Sequence, residues 1–173
     1  MRLRRMITGA AVLLVTTLGV TTAASAATAS TVPWQPYRTA PWTDAPGAVC
    51  SFGVAATIVY DQEQYRTLAR YPNGDPRLQE FRGPLFIRYA NTSTGDSVVR
   101  DLSGYAWFRY GPDGGLDAFI ASHIAVRIHT GNTGFPAGEW VISGQSEVTV
   151  SGTGTINIQL IHATAENLCR TLS

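Results

Sequence analysis

Lysine is absent from this sequence, and charge of either sign is scarce. All 13 basic residues are arginine, and charged residues make up 14% of the chain. Three arginines (Arg2, Arg4 and Arg5) lie at the extreme N-terminus, which leaves ten against 12 acidic residues, a net charge near −2, for the remainder. That balance provides no basic patch of the kind that binds nucleic acid or an anionic membrane. We therefore expect no nucleic-acid partner.

Recognisable catalytic and cofactor-binding motifs are missing too. The chain has no CxxC, no HExxH and no glycine-rich phosphate loop before a helix. The segment Gly144-Gln-Ser146 begins like the nucleophile elbow of hydrolases, but the second glycine is lacking. Carboxylates that could form a glycosidase-type pair are present but cannot be placed together from sequence: Asp96, Asp101, Glu139 and Glu147. The sequence therefore predicts no catalytic residue and no cofactor.

Only one long apolar run occurs, and it lies near the start of the chain. The run from Gly9 to Val20 follows the three arginines and precedes the small-residue site Ala24-Ser25-Ala26. This arrangement predicts a signal peptide over residues 1–26, with cleavage before Ala27, through the general secretory route rather than the twin-arginine route. The run is too short to span a bilayer comfortably, and no second one follows. We expect a secreted protein without a transmembrane segment after signal removal.

Cysteine is nearly absent, with only Cys50 and Cys169 in the whole chain. An exported protein meets an oxidising compartment, and an even number of cysteines there favours pairing. We therefore predict a disulfide between these two residues. The alternative is a pair of separate buried thiols.

Proline is concentrated in the N-terminal arm, which we place at residues 27–47. Four prolines between Thr31 and Gly47 argue against both a helix and a strand ladder. Trp34, Tyr37 and Trp42 are costly to leave in water, so they either pack against the domain or contact a partner such as cell wall or glycan. We favour packing against the domain.

Residues 48–173 show the two-residue alternation of β-strands, broken by turn signals rich in glycine, proline and asparagine. We count about eight strands, and no segment is long enough in helical period to cross over between parallel strands. The sequence predicts a single all-β, antiparallel domain. Glycines inside strands, such as Gly104, favour a curled sheet, so we expect an up-and-down barrel, with a β-sandwich as the alternative.

The longest alternating stretch runs from Leu116 to His129, and its two faces differ. Apolar residues, including Ile120, Ile124, Val126 and Ile128, occupy one face and are expected to be buried. The other face carries the candidate functional residues His123, Arg127 and His129. Six residues of strand separate the two histidines by about 20 Å, which is too far for one metal ion, so no metal site is expected. Either histidine alone could act as a general base, while a solvated strand face is the more ordinary interpretation.

Several short segments together resemble those of small exported actinobacterial proteins of uncharacterised function. They are the arginine-rich leader, Val49-Cys-Ser-Phe52, the turn from Asn91 to Ser97, Leu102-Ser-Gly104 and the terminal run from Asn167 to Leu172. The resemblance covers most of the chain after the leader and implies a class and a compartment, but no activity.

Three functions are compatible with these features. The first is a secreted, non-enzymatic domain that binds a small ligand or a cell-envelope surface. The second is a small barrel hydrolase or isomerase that uses a histidine at the barrel mouth. The third is a structural or interaction module of the envelope that uses the aromatic arm. An open cavity lined by polar groups around one histidine would favour the second, and a filled interior would favour the third.

Overall fold

The computed structural model describes residues 32–132, 135–152 and 155–173, which belong to one compact unit spanning Thr31–Ser173. The predicted signal peptide, residues 1–26, lies outside the described residues. Within the described part of the chain, no helix combines the length and the apolar character needed to cross a membrane.

The described residues form eleven β-strands and one short helix. In chain order they are β1 (Gln35–Pro36), β2 (Trp42–Asp44), β3 (Val54–Asp61), β4 (Gln64–Arg70), β5 (Pro76–Gly83), β6 (Leu85–Asn91), β7 (Ser97–Asp101), β8 (Gly104–Tyr110), β9 (Leu116–Ile128), β10 (Gly138–Val150), β11 (Ile156–Asn167) and α1 (Leu168–Thr171). All strand pairs are antiparallel, which confirms the predicted fold class.

The strands are arranged in two sheets. The larger has seven strands in the order β1-β4-β5-β8-β9-β10-β11, and the smaller has four in the order β2-β3-β6-β7. No closed barrel is found among the described residues, because the outermost strands of neither sheet pair with each other. The architecture is therefore closer to the sandwich that we gave as the alternative than to the expected barrel.

Three sharp corners carry the chain from one sheet to the other. Between β3 and β4, between β5 and β6, and between β7 and β8 the chain passes from one sheet to the other within one or two residues. At Gly83, the corner between β5 and β6, φ is +136° and a Cβ atom would lie 2.6 Å from the carbonyl oxygen of Gln62. Gln62 belongs to the corner between β3 and β4. Only a glycine at position 83 allows these two corners to approach each other this closely.

The main core lies between the smaller sheet and the far end of the larger one. Alternate residues of β6 (Leu85, Ile87 and Tyr89) are buried and pack with Val141 of β10 and Leu168 of α1. Each such apolar side chain gains roughly 1.5–3 kcal/mol on leaving water. The two layers are therefore joined by a continuous apolar contact.

Strand β9 departs from the one-sided burial expected of it. Val126 and Ile128 are buried, as expected, but Ile120 and Ile124 are only half-buried, and the opposite face is buried at Phe119. A register shift in the pairing of β9 with β10 separates the two halves of the strand. The curled sheet thus buries a different face in each half.

The N-terminal arm takes part in both sheets, contrary to the expectation that its prolines prevent strand pairing. β1 pairs with the edge of β4, and β2 pairs with β3. Pro36 is accommodated because β1 is an edge strand. The N–H that proline lacks is therefore not needed for a hydrogen bond inside the sheet. Trp42 lies against Tyr89, and Trp34 lies under the guanidinium of Arg82, so the arm packs on the domain as favoured.

The predicted disulfide is confirmed. Cys50 and Cys169 are bonded, their Cα atoms are 5.3 Å apart, and 119 positions separate them in sequence. The bond joins the segment before β3 to α1, whose first turn is capped by the Asn167 side chain accepting from the Cys169 N–H. The bond therefore holds the segment before β3 and α1 on the same core.

Candidate functional site

A cavity lies between the larger sheet, β6 of the smaller sheet and the arm. Its volume is about 570 Å³. The walls are mostly apolar and come from the arm, β5, β6, β8 and β9. The lining residues that matter below are Tyr37, Thr39, Trp42, Glu63, Phe81, Ile87, Ala106, Phe108, Phe119, His123 and Arg127.

Aromatic rings form one end of the cavity. Phe108 lies at 4.9 Å from both Phe81 and Phe119 between ring centroids, edge-on to the first and stacked on the second. Registers of neighbouring strands produce this contact, since Phe108 pairs directly with Phe119 and Ala106 with Phe81. The small side chain of Ala106 leaves the space that the rings enclose.

A few polar groups interrupt the apolar wall near the start of β4. The Thr39 hydroxyl donates a hydrogen bond of 2.6 Å to Oε2 of Glu63. Burial raises the pKa of Glu63, and nearby Asp61 raises it further, while the bond from Thr39 and the charge of Arg38 act against this. His123 and Glu63 both line the cavity and also a smaller recess beside it.

The structure brings together two of the three candidate residues on β9. His123 and Arg127 both line the cavity, although both are exposed to solvent. His129 is exposed and does not belong to the lining. The three residues therefore do not form one site. No group of three or more metal-ligating side chains occurs in the part of the chain that the structure describes.

The aromatic residues of the arm also divide between two places. Tyr37 and Trp42 line the cavity, and Tyr37 contacts the ring of Phe81 edge-on at 5.1 Å. Trp34 instead lies near the guanidinium groups of Arg66 and Arg82, at 4.5 and 3.9 Å from its ring centroid. The arm thus contributes a wall of the cavity rather than a row of free aromatic side chains.

Behind Trp42 lies a buried polar cluster, which we define as Trp42, Asp44, Tyr89, Arg127 and Glu139. Trp42 and Asp44 are on β2, while the other three are on β6, β9 and β10. Glu139 has no exposed surface and pairs in register with Arg127 across the β9–β10 ladder. Arg127 lies 3.7 Å from Oδ1 of Asp44 and 5.1 Å from the Trp42 ring centroid.

Most polar atoms of this cluster lack a hydrogen-bond partner in the described structure. They are Nε1 of Trp42, Oδ2 of Asp44, the hydroxyl of Tyr89 and both carboxyl oxygens of Glu139. Native proteins pair the large majority of buried polar side-chain atoms. These five atoms leave the cluster with unused hydrogen-bonding capacity, which a buried water or a bound polar group could use.

The electrostatics of the cluster keep Glu139 protonated at neutral pH. Burial, then the charge of Asp44, raises the pKa of Glu139 to about 8, and Arg127 and the Trp42 indole N–H only partly oppose this. The Trp42 N–H acts on the pKa of the Glu139 carboxyl group but makes no hydrogen bond of normal geometry with it. Burial and the proximity of Glu139 also raise the pKa of the Tyr89 hydroxyl far above its ordinary value. The cluster thus has an excess of acidic groups over cations.

Sequence reasoning missed this cluster. Glu139 was noted only as one of several unplaced carboxylates, and Asp44 and Tyr89 were not singled out. One signal was available. Glu139 and Val141 are two residues apart, so they share a face of the strand, and Val141 is buried. If these residues form a strand, the Glu139 carboxyl group must point inward with Val141.

Comparison with known proteins gives no relative for this chain: no protein-family model, no curated protein and no solved structure matches it. Function must therefore be argued from the cavity and the cluster themselves.

Proposed function

We propose that the protein is a secreted domain that binds a small, largely apolar molecule in the cavity, without chemistry on it. The observation that carries the proposal is the cavity itself, with a volume of about 570 Å³ and a wall of aromatic and aliphatic side chains. Ligand sites in proteins are typically of roughly 300–1,000 Å³ and combine such walls with a few polar groups. The N-terminal leader and the disulfide support the extracellular location, where the ligand would be met in solution or at the cell envelope.

Binding of the neutral fluorescent dye Nile red to the mature protein tests this proposal. We expect saturable binding with a rise in fluorescence. Ala106→Leu should weaken binding at least tenfold, because the larger side chain fills space next to Phe81 and Phe108. The matched control is Ala90→Leu, on β6 but outside the cavity lining, which should bind like the unaltered protein. Equal binding by both variants would place the dye elsewhere and contradict the proposal.

A second candidate is a hydrolase or isomerase acting on an apolar substrate. It is favoured by one observation: His123 and the partly buried Glu63 both line the cavity, which sets two proton-transfer groups beside an apolar chamber. Hydrolysis of p-nitrophenyl butyrate tests the hydrolase form. His123→Ala should abolish a catalysed rate, whereas His162→Ala, on β11 outside the lining, should not. A rate that survives His123→Ala would exclude this role for the histidine.

A further inference from the structure

We propose that the buried polar cluster is the subsite for a primary ammonium group, so that the preferred ligand is an amphipathic amine whose apolar body fills the cavity. The inference rests on the proposed function, because the cavity must hold the body of the ligand. It adds the chemical class of the head group. Trp42 and Arg127 belong both to the cavity wall and to the cluster, whereas Asp44, Tyr89 and Glu139 do not line the cavity, so the head group would reach these three residues past the side chains of Trp42 and Arg127.

The first argument is the count of free acceptors. Asp44 Oδ2 and both carboxyl oxygens of Glu139 are buried without a partner in the described structure, which makes three acceptors once Glu139 is ionised. An alkylammonium carries three N–H donors and no acceptor, whereas an alcohol carries one donor. Charge-assisted hydrogen bonds of this type are about twice as strong as neutral ones. The ammonium group is thus the simple head group whose donors match the available oxygens.

Charge balance is the second argument. The cluster holds two carboxyl groups and one guanidinium. Of the two carboxyl groups, the guanidinium of Arg127 forms an ion pair only with that of Asp44, at 3.7 Å. When both carboxyl groups are ionised, the cluster is negative by one charge, and one bound ammonium neutralises it. A carboxylate head group would instead add a third negative charge in a buried place. The site therefore discriminates between cationic and anionic amphiphiles.

The aromatic walls supply the third argument. The rings of Trp42 and Tyr89 meet edge to face, with centroids 6.0 Å apart. Arg127 already places a cation 5.1 Å from the Trp42 ring centroid, which shows that this ring accepts positive charge. Ring faces of tryptophan and tyrosine attract ammonium groups most strongly where water is excluded. The rings of the cluster would therefore add to the attraction of its carboxyl groups for an ammonium group.

Binding of an amine should displace a proton from Glu139. The ionisable groups that act on Glu139 are Asp44 from β2, Tyr89 from β6 and Arg127 from β9. Its pKa of about 8 means that the proton competes with the ammonium group at neutral pH. Amine affinity should consequently rise by about a hundredfold from pH 6 to pH 9, while an ordinary amine, with a pKa near 10.4, stays charged throughout.

Displacement of Nile red by decylamine, decanol and decanoate at pH 6, 7.5 and 9 tests the inference. We expect decylamine to bind at least tenfold more tightly than decanol at pH 9, with the predicted rise with pH, and decanol to bind equally at each pH. Glu139→Gln should remove the advantage of decylamine over decanol and abolish the rise of amine affinity with pH. The matched control Glu147→Gln changes a carboxylate on the same strand but outside the cluster and should behave like the unaltered protein.

Two kinds of failure are distinguishable. If decanol displaces the dye but decylamine binds no better, or if decanoate binds most tightly, the ammonium subsite is wrong and the cavity stands. If the dye does not bind, or is displaced by none of the three, the proposed function itself is wrong. Should Glu139→Gln not fold, as judged by its thermal unfolding, the amine–alcohol comparison and its pH dependence in the unaltered protein decide the question.

Discussion

The ligand-free protein should lose stability as the pH rises from 5 to 8, and Glu139 should cause most of the loss. Its pKa is raised from an ordinary value of 4.5 to about 8. In this window the folded state holds a proton that the unfolded state has released, so raising the pH favours unfolding. The contribution of Glu139 is fully present below pH 4.5 and is lost as the pH passes through about 8.

The magnitude follows from the width of that window. Each unit of pKa difference corresponds to about 1.4 kcal/mol, so a shift from 4.5 to about 8 gives an upper limit of about 5 kcal/mol. Domains of this size are stable by only about 5–15 kcal/mol, so the loss should be plain in urea unfolding at pH 5, 6, 7 and 8. Glu63, whose pKa is also raised, contributes in the same direction. Glu166 and Asp101 have lowered pKa values and act only at lower pH.

Glu139→Gln provides the decisive comparison, because the amide keeps the shape of the side chain without its ionisation. The free energy of unfolding of the variant should fall much less across the window, with only the contribution of Glu63 left, and the variant should be more stable than the unaltered protein at pH 8. Glu147→Gln, outside the cluster, should keep the unaltered pH dependence. A stability that is flat or rises from pH 5 to 8 in the unaltered protein, or an unchanged slope in Glu139→Gln, would refute the reasoning.

Three further outcomes concern the fold. Replacing Cys50 and Cys169 by serine should lower the free energy of unfolding in urea by about 4–5 kcal/mol, since the bond closes a loop of 119 positions; no loss would contradict this. Ile128→Ala should cost about 2–5 kcal/mol in the same assay, because Ile128 is fully buried, and a cost below about 1 would count against it. Gly144→Ala should lower the melting temperature far more than Gly74→Ala: both glycines have positive φ, but only at Gly144 would a Cβ strike the backbone of β11.

The strand pattern was predictable because burial on one face leaves a period of two in the sequence. β6 shows this plainly, with Leu85, Ile87 and Tyr89 buried in alternation. The division into two sheets was not predictable, because alternation continues through a corner and does not indicate which neighbour a strand will pair with. Gly83 and Gly104 did mark two of the corners, but a glycine is compatible with a bend inside one sheet as well as with a passage between two.

Some residues of the cavity wall could be predicted from the sequence, whereas the cluster could not. Strand parity correctly put His123 and Arg127 on one face of β9, and both line the cavity. The cluster depends on Asp44, and the four prolines around it argued against any strand there. β2 forms nonetheless, because an edge strand of three residues requires few ladder bonds. A contact between residues so distant in the chain leaves no local pattern.

The arm is where fold and proposed function depend on each other. β2 is an edge strand of the smaller sheet, and it carries both Trp42, which separates the cavity from the cluster, and Asp44, one of the cluster's two carboxylates. Before β2, β1 pairs with the edge of β4. After β2, the carbonyl oxygen of Ala48 accepts a hydrogen bond from the Thr130 hydroxyl, and Cys50 forms the disulfide. The arm is therefore fastened on both sides of the residues that it contributes. Without the arm, the chamber would lack the wall that Tyr37, Thr39 and Trp42 form, and the adjacent cluster would lack Asp44.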